Sequence, residues 1–406
     1  MFAQKLLLPA MAVFSIAAAQ TATICSQPTV TVNSQADASL LADCSTVSGS
    51  IIIGSTASGT IAINGPQQVK GNLTSQSAGG LVSLSSTSIS SIGGEFRLFN
   101  LTFLSTLQFD ALTSVKTIYW EALPALPSLA FSGPLSKADS VTISNTFLTT
   151  LSGINLNTVS TLQIDNNNNL KAFDTQIANI TNAVNINANG NLLAVTFPNL
   201  IWAANMTFRN VSSVKIPSLA TVNGSLGFYG NYMDSIAAPN LTSVGSFATG
   251  VGSLAIVANG KLANITFPAL RSVGGADQIA NNTALDAISF ASLTSVGGAI
   301  DFSGNFTTPE LPKLEDVKGG FNVQSQQAIT CSGFEAQSGG KGSIIQGKFI
   351  CKSATATTET LDGSSSTTSS SSSASSTSKK SDATNFGFSE AALGFSLFGG
   401  LLQMIL

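Results

Sequence analysis

The chain has no histidine, and its 406 residues include only 17 basic and 20 acidic side chains. Without histidine there is no Ser-His-Asp or Cys-His dyad, no HExxH zinc site and no ordinary proton shuttle at neutral pH, so carboxylate pairs are the main catalytic option left. Lys and Arg are scattered from Lys70 to Lys352, with one adjacent pair further on, and the net charge is -3. No basic stripe exists for a phosphate backbone, which excludes nucleic acid as the partner. Cysteine is also scarce, with four residues, and 3 Tyr and 2 Trp contrast with 24 Phe.

The two ends read as addresses. Residues 1–19 carry Lys5, an apolar run from Leu6 and then Ala17-Ala18-Ala19, the three parts of a secretory signal peptide. From Ser364 to Ser378 every residue is Ser or Thr except Ala374, too polar and repetitive to bury a core. Residues 354–380 are therefore expected to be a disordered, O-glycosylated stalk. Lys379-Lys380 follow, then the small residues Ser381, Asp382 and Ala383, and finally an apolar tail from Ala391 to Leu406. This order is that of a GPI-attachment signal over 381–406, with Ser381 the leading attachment residue and Asp382 the next. The tail is too short for a transmembrane span and has no basic flank beyond it.

Between the ends one phrase recurs, two apolar residues flanking a polar one with Asn following: Leu162-x-Ile164-x-x-Asn167, Val184-x-Ile186-x-x-Asn189, Leu226-x-Phe228-x-x-Asn231, Leu254-x-Ile256-x-x-Asn259 and Ile300-x-Phe302-x-x-Asn305. The pattern L-x-L-x-x-N is the core of a leucine-rich repeat, and its spacing is about 22 residues. A second phrase keeps the same beat, as in Phe197-Pro-Asn-Leu200, Ile216-Pro-Ser-Leu219 and Phe267-Pro-Ala-Leu270. Period-2 alternation makes the first phrase a strand, and proline bars a helix interior at the second. The expected fold is mainly β: a parallel β-solenoid of leucine-rich-repeat-like coils over 51–330, roughly a dozen coils stacked about 4.8 Å apart. The Asn residues should point inward and bond to one another from coil to coil.

A solenoid has two open ends, and the cysteines fall there. Cys25 with Cys44 and Cys331 with Cys351 are expected to form local disulfides that clip an N-terminal cap over 20–50 and a C-terminal cap over 331–353. A zinc site is disfavoured by the lack of CxxC or His spacings. Ten N-x-S/T sequons occur, at Asn72, Asn100, Asn179, Asn205, Asn210, Asn223, Asn240, Asn264, Asn281 and Asn305. All but Asn305 are expected to be glycosylation sites; Asn305 doubles as a ladder Asn, and an inward side chain cannot carry a glycan.

Together, the signal peptide, paired cysteines at both ends, P-x-L-x-x-V-x-G repeats such as Pro268-Ala-Leu270-Arg-Ser-Val273-Gly, Ser-rich stalk and anchor signal resemble the fungal GPI-anchored cell-wall-organisation proteins. Those proteins are built from receptor L-domain-like repeats and include the extracellular-mutant and sporulation-specific types. The resemblance implies a non-catalytic glycoprotein needed for wall integrity, held at the plasma membrane or in the wall. Its partners would be wall glycan or wall glycoproteins, with the membrane reached through the GPI lipid. Neither the residues nor the resemblance implies a cofactor or a metal. In resembling proteins a dibasic pair before the attachment residue goes with membrane retention, and Lys379-Lys380 fit that pattern, so a mainly membrane-held population with some wall-linked is expected.

The competing reading is a glycan-active enzyme, because parallel solenoids also host carboxylate sites, which need two carboxylates about 5–9.5 Å apart. By parity Asp165 and Asp301 point outward, but six coils separate them, roughly 30 Å. Asp277 occupies a position where other coils have Ile or Leu; a local bulge turning it to solvent is expected, because an unpaired buried charge is costly. Tyr119 and Tyr229 should face outward and are candidate glycan contacts.

Overall fold

The computed structural model describes residues 24–190, 193–339 and 342–354. The expected signal peptide, the stalk from residue 355 and the anchor segment with Ser381 lie outside the described residues. Within them the chain winds into a parallel β-solenoid of about 13 turns, as the repeat spacing predicts.

Each coil has three sides. The first is a short ribbon such as Thr221–Val222, Ser243–Val244 and Ser272–Val273, each pair stacked parallel on the next. The second is the L-x-L strand, as in Met206–Arg209, Leu226–Tyr229, Leu254–Val257 and Asp277–Ala280, also parallel and in register. These two ribbons make one sheet, because Ser91–Phe99 and Ser114–Leu123 run through both. The third side carries short back sheets, Ser58–Ala62 with Gly80–Ser86 and Thr106–Phe109, Ala172–Asp174 with Ala194–Thr196 and Ser213–Lys215, and Ser235–Ala237 with Asn264–Thr266. The repeat phrases do not announce the later part of this third side, since strands such as Ala172–Asp174 and Ala194–Thr196 have a single inward residue each, Phe173 or Val195, and so no alternation to read.

The inward apolar residues of all three sides form one continuous core. Aromatic rings run down it: Phe208 stacks on Phe228 at 5.4 Å, Phe267 on Phe290 at 6.0 Å and Phe290 on Phe302 at 6.4 Å. A second cluster joins Phe96, Phe109, Trp120 and Phe131 in tilted and edge-on contacts of 5.0–6.2 Å. Such pairs add about 1 kcal/mol each beyond the area they bury.

Where most L-x-L strands end, the chain turns through a left-handed residue: Asn100, Asn145, Asn166, Asn210 and Asn281, or Ser77, Ala122, Ala188, Ala258 and Gly230. Asn is the non-glycine residue that adopts this conformation most readily. The residue immediately after it points inward, and there the expected ladder forms. Asn231 Nδ2 donates to the Phe208 carbonyl at 3.1 Å and to Asn259 Oδ1 at 2.9 Å; Asn259 Nδ2 in turn donates to Asn282 Oδ1 at 3.0 Å. Asn167 and Asn189 make the same pair at 3.0 Å in an earlier stretch. Val211 takes the ladder position between the two stretches, and its amide donates to Asn231 Oδ1 at 3.1 Å. Each amide side chain thus satisfies main-chain groups that the turn strips of partners.

Asn305 departs from expectation. It is exposed, not inward, and Phe306 is buried instead. Gly304, at the position where the other coils turn left-handed, is absent from the positive-φ residues, and the strand Ile300–Gly304 runs straight on, pairing as far as Ser325. Without the turn the inward parity passes to residue 306. Conversely Asn282 is a buried ladder residue that the phrase concealed, because Asp277 replaced its first apolar member.

Both disulfides form as expected, Cys25–Cys44 and Cys331–Cys351, and no described cysteine is free. The segments they clip also supply strands: Thr29–Val32 pairs with Ser50–Ile53, and Phe349–Lys352 with Phe321–Ser325. A short helix, Gln35–Ser39, begins with a Ser34/Asp37 capping box. Its Gln35 side chain bonds the edge of the first back sheet twice, donating to the Ala62 carbonyl at 3.0 Å and accepting from the Ala62 amide at 2.7 Å.

Candidate functional site

The polar positions of the L-x-L phrase line up on the outer face of the main sheet. Parallel in-register pairing sets Tyr119, Thr142, Gln163, Asn185, Thr207 and Gly227 in one central column. Tyr119 is outward, as expected, and half-buried. The Arg97 guanidinium lies over its ring at 4.2 Å and over Phe99 at 5.4 Å, and Arg97 also pairs with Glu95 at 3.7 Å. The Tyr119 hydroxyl donates to Glu121, and that bond, with burial, raises the phenol's pKa.

Tyr229 is outward too, on the neighbouring column, with the Arg209 guanidinium 4.4 Å from its ring centre. Its ring leans back along the strand over Gly227. A β-carbon there would stand 2.3 Å from Tyr229 Cε2, so only glycine leaves room. Both rings therefore occupy the central column, five coils apart, each stacked with an arginine from the coil before. Cation–π stacking of this kind is worth about 0.5–1 kcal/mol at an exposed site. The arginines give no signal within one repeat; what would reveal them is their place one repeat upstream of each tyrosine. The neighbouring Trp120 is fully buried, and Tyr232 is exposed.

Carboxylates on this face are dispersed. Asp165 accepts from Ser144 and from Gln163 Nε2 at 2.6 Å, whereas Asp301 accepts from Gln278 Nε2 at 3.1 Å and Asn322 Nδ2 at 2.7 Å. Six parallel strand steps separate the two, roughly 30 Å. Glu95 and Glu121 lie on adjacent strands but four residues apart along them, roughly 14 Å. Among the described residues no group of three or more Cys, Asp and Glu gathers as for a metal ion.

Asp277 corrects the expectation of a bulge. It stays in register between Leu254 and Ile300, points inward and has no exposed surface. Neither carboxylate oxygen has a hydrogen-bond partner, and burial pushes its pKa up to about 8. A slip of one residue would expose Ile279 and pull Asn282 off the ladder, so the strand keeps its register and the acid keeps its proton.

The sequons border the L-x-L columns of the face without entering them. Asn100, Asn210, Asn281 and Asn305 lie at or just past the turns on one side; Asn72, Asn205 and Asn223 lie where the two ribbons meet on the other. Asn240 sits in a return segment and Asn264 on a back strand, and Asn179 opens the strand Asn179–Asn187. Eight of the ten are exposed, with Asn179 and Asn210 half-buried. Beyond Asn223, an insertion between Gly245 and Gly252 raises the same border. Its Ser246 and Val251 bridge antiparallel, and Phe247 takes Lys318 Nζ 4.0 Å from its ring centre.

A disulfide-clipped parallel solenoid with an open sheet face whose L-x-L columns carry no sequon is the class of molecule these features define. No family model matches the chain, and no solved structure matches it. It is 42% identical over 380 residues to "Protein ecm33" of Aspergillus fumigatus, covering 93% of each chain. It is 35% identical to "Cell surface GPI-anchored protein" of Arthroderma benhamiae over 93% of this chain and 94% of that one. With "Cell wall protein ecm33" of Schizosaccharomyces pombe it shares 31% over 87% of this chain and 83% of that one. The chain belongs to the Ecm33 family of fungal cell wall proteins.

Proposed function

We propose that this protein is a GPI-anchored surface glycoprotein that supports organisation of the fungal wall by binding wall polysaccharide on the open face of its main sheet. It resides at the cell surface, held at the plasma membrane by the lipid, with a fraction linked to the wall. Relatives named for the cell wall and for a GPI anchor support the location. The observation that carries the binding role is the pair of arginine-stacked tyrosines among L-x-L columns that none of the ten sequons enters. Glycans attached at the bordering sequons would leave that face clear. Flat aromatic rings among amide and hydroxyl side chains suit the apolar faces and hydroxyl edges of sugars. No catalytic step belongs to this reading, since the carboxylates of the face act in separate places.

The test is retention of the native glycoprotein, released from cells by a phosphatidylinositol-specific phospholipase, on insoluble wall β-glucan and on chitin. Native protein should be retained on one of them, and Tyr119→Ala with Tyr229→Ala should abolish retention while leaving the melting temperature nearly unchanged. Failure of the native protein to bind any wall polysaccharide would overturn the proposal.

A further inference from the structure

We infer that the ligand is a single neutral polysaccharide strand lying lengthwise along the solenoid, one sugar ring per coil, gripped at both ends by the two arginine-stacked tyrosines. This rests on the polysaccharide reading above and specifies its geometry. Three observations converge on it.

The first is register. Gly227 lets the Tyr229 ring fold back into the central column, the column that Tyr119 already occupies. Two equivalent platforms thus stand on one line, five strand steps apart, about 24 Å. The coil spacing of about 4.8 Å is close to the length of one pyranose unit in an extended chain, so successive sugars meet successive coils in the same way.

The second is the track between the platforms. Its central column reads Thr142, Gln163, Asn185 and Thr207, hydroxyls and amides throughout, with no apolar anchor of the kind a protein partner would need. Its charges are few and include more acids than bases: Arg97 pairs with Glu95, Asp165 accepts from the neutral Ser144 and Gln163, Glu121 accepts from Tyr119, and Arg209 stacks on Tyr229. Such a track suits a neutral, hydroxyl-rich chain over an anionic one.

The third is the borders. At the far end of the track, Asn205 and Asn210 flank the Thr207 coil with about four residues of strand, some 13 Å, between them, and Asn223 borders the Gly227 coil. Further along, the Gly245–Gly252 insertion walls one side as well. At that end of the track a chain crossing the face would meet these borders, whereas a chain along the axis runs between them.

Two linked platforms predict a chain-length threshold. Wall oligosaccharides of two to ten units are to be titrated against the native glycoprotein. Chains of three units or fewer should bind weakly, and chains of six or more on the order of a hundredfold tighter, because the second platform is then engaged intramolecularly. Tyr119→Ala or Tyr229→Ala alone should return long chains to the short-chain level. The decisive variant is Gln163→Asn with Asp165→Thr, which creates a sequon midway along the track. Its glycan should remove the long-chain advantage while short chains bind as before. A plateau at two or three units, or undiminished long-chain binding by the variant with its glycan confirmed in place, would overturn the lengthwise site. If native protein binds no chain of any length, or is retained only through a wall protein, the polysaccharide reading itself falls.

Discussion

Replacing Asp277 tests the core directly. In the unfolded chain its carboxyl ionises near 3.8, but in the folded protein it holds its proton up to about 8. A raised folded pKa contributes fully below the unfolded value, and the contribution is lost as pH rises from about 4 to about 8. Each unit in that window costs about 1.4 kcal/mol, so between pH 4 and pH 7 the native state loses about 4 kcal/mol through this group. A further 1–3 kcal/mol or so is lost at every pH, because the neutral carboxyl is buried with neither oxygen bonded. Asp277→Val, close in size, should therefore stabilise the solenoid by about 5–7 kcal/mol at pH 7 and by only the smaller part, about 1–3 kcal/mol, at pH 4. Asp277→Asn should remove the pH slope but keep the hydrogen-bond penalty. The measurement is urea unfolding at intervals from pH 4 to pH 8, with hydrogen exchange on Leu254–Val257 and Ile300–Gly304, because coil stacks can open locally. Parallel pH curves for the native protein and Asp277→Val, or a less stable valine variant at pH 7, would refute the buried, unpartnered acid.

Four other outcomes are expected. Asn305, exposed because its strand does not turn, should carry a glycan; glycopeptide mapping that finds it bare while its bordering neighbours are occupied would count against the exposed placement. Asn231→Ala should cost at least about 2 kcal/mol in urea unfolding, since it strands the Val211 amide and the Phe208 carbonyl. Replacing Cys331 and Cys351 with Ser should lose about 2–4 kcal/mol locally, seen as faster hydrogen exchange in Phe349–Lys352 with Leu226–Tyr229 still protected. Replacing Lys379 and Lys380 with Ser should lower the phospholipase-releasable share in cell fractionation; an unchanged share would remove the dibasic pair from any role in location.

Much of the fold was legible because parallel coils repeat one local rule. Val184 and Ile186 could be read as inward from their alternation, and the cysteines as end clips from their place outside the repeats. The failures came where one residue broke the rule. Asp277 suggested a bulge because its charge was weighed alone; in the stack, Ile279 and Asn282 hold the register and the proton is what yields. Asn305 followed the phrase but not the left-handed turn, a backbone property that the neighbouring Gly304 left open. At the candidate site the outward tyrosines followed from parity, whereas Gly227 explained itself only once the Tyr229 ring was seen lying over it.

The Gln35 side chain closes the exposed edge of the first back sheet by presenting one acceptor and one donor to the two backbone groups of Ala62. A strand from a neighbouring copy would have offered the same pair. Proteins anchored in a membrane are crowded in two dimensions, all standing the same way up, the arrangement in which an open β edge recruits its like. A single amide, imitating the backbone it shields, keeps this stretch of edge from serving as a template, so neighbours can be packed densely without polymerising there.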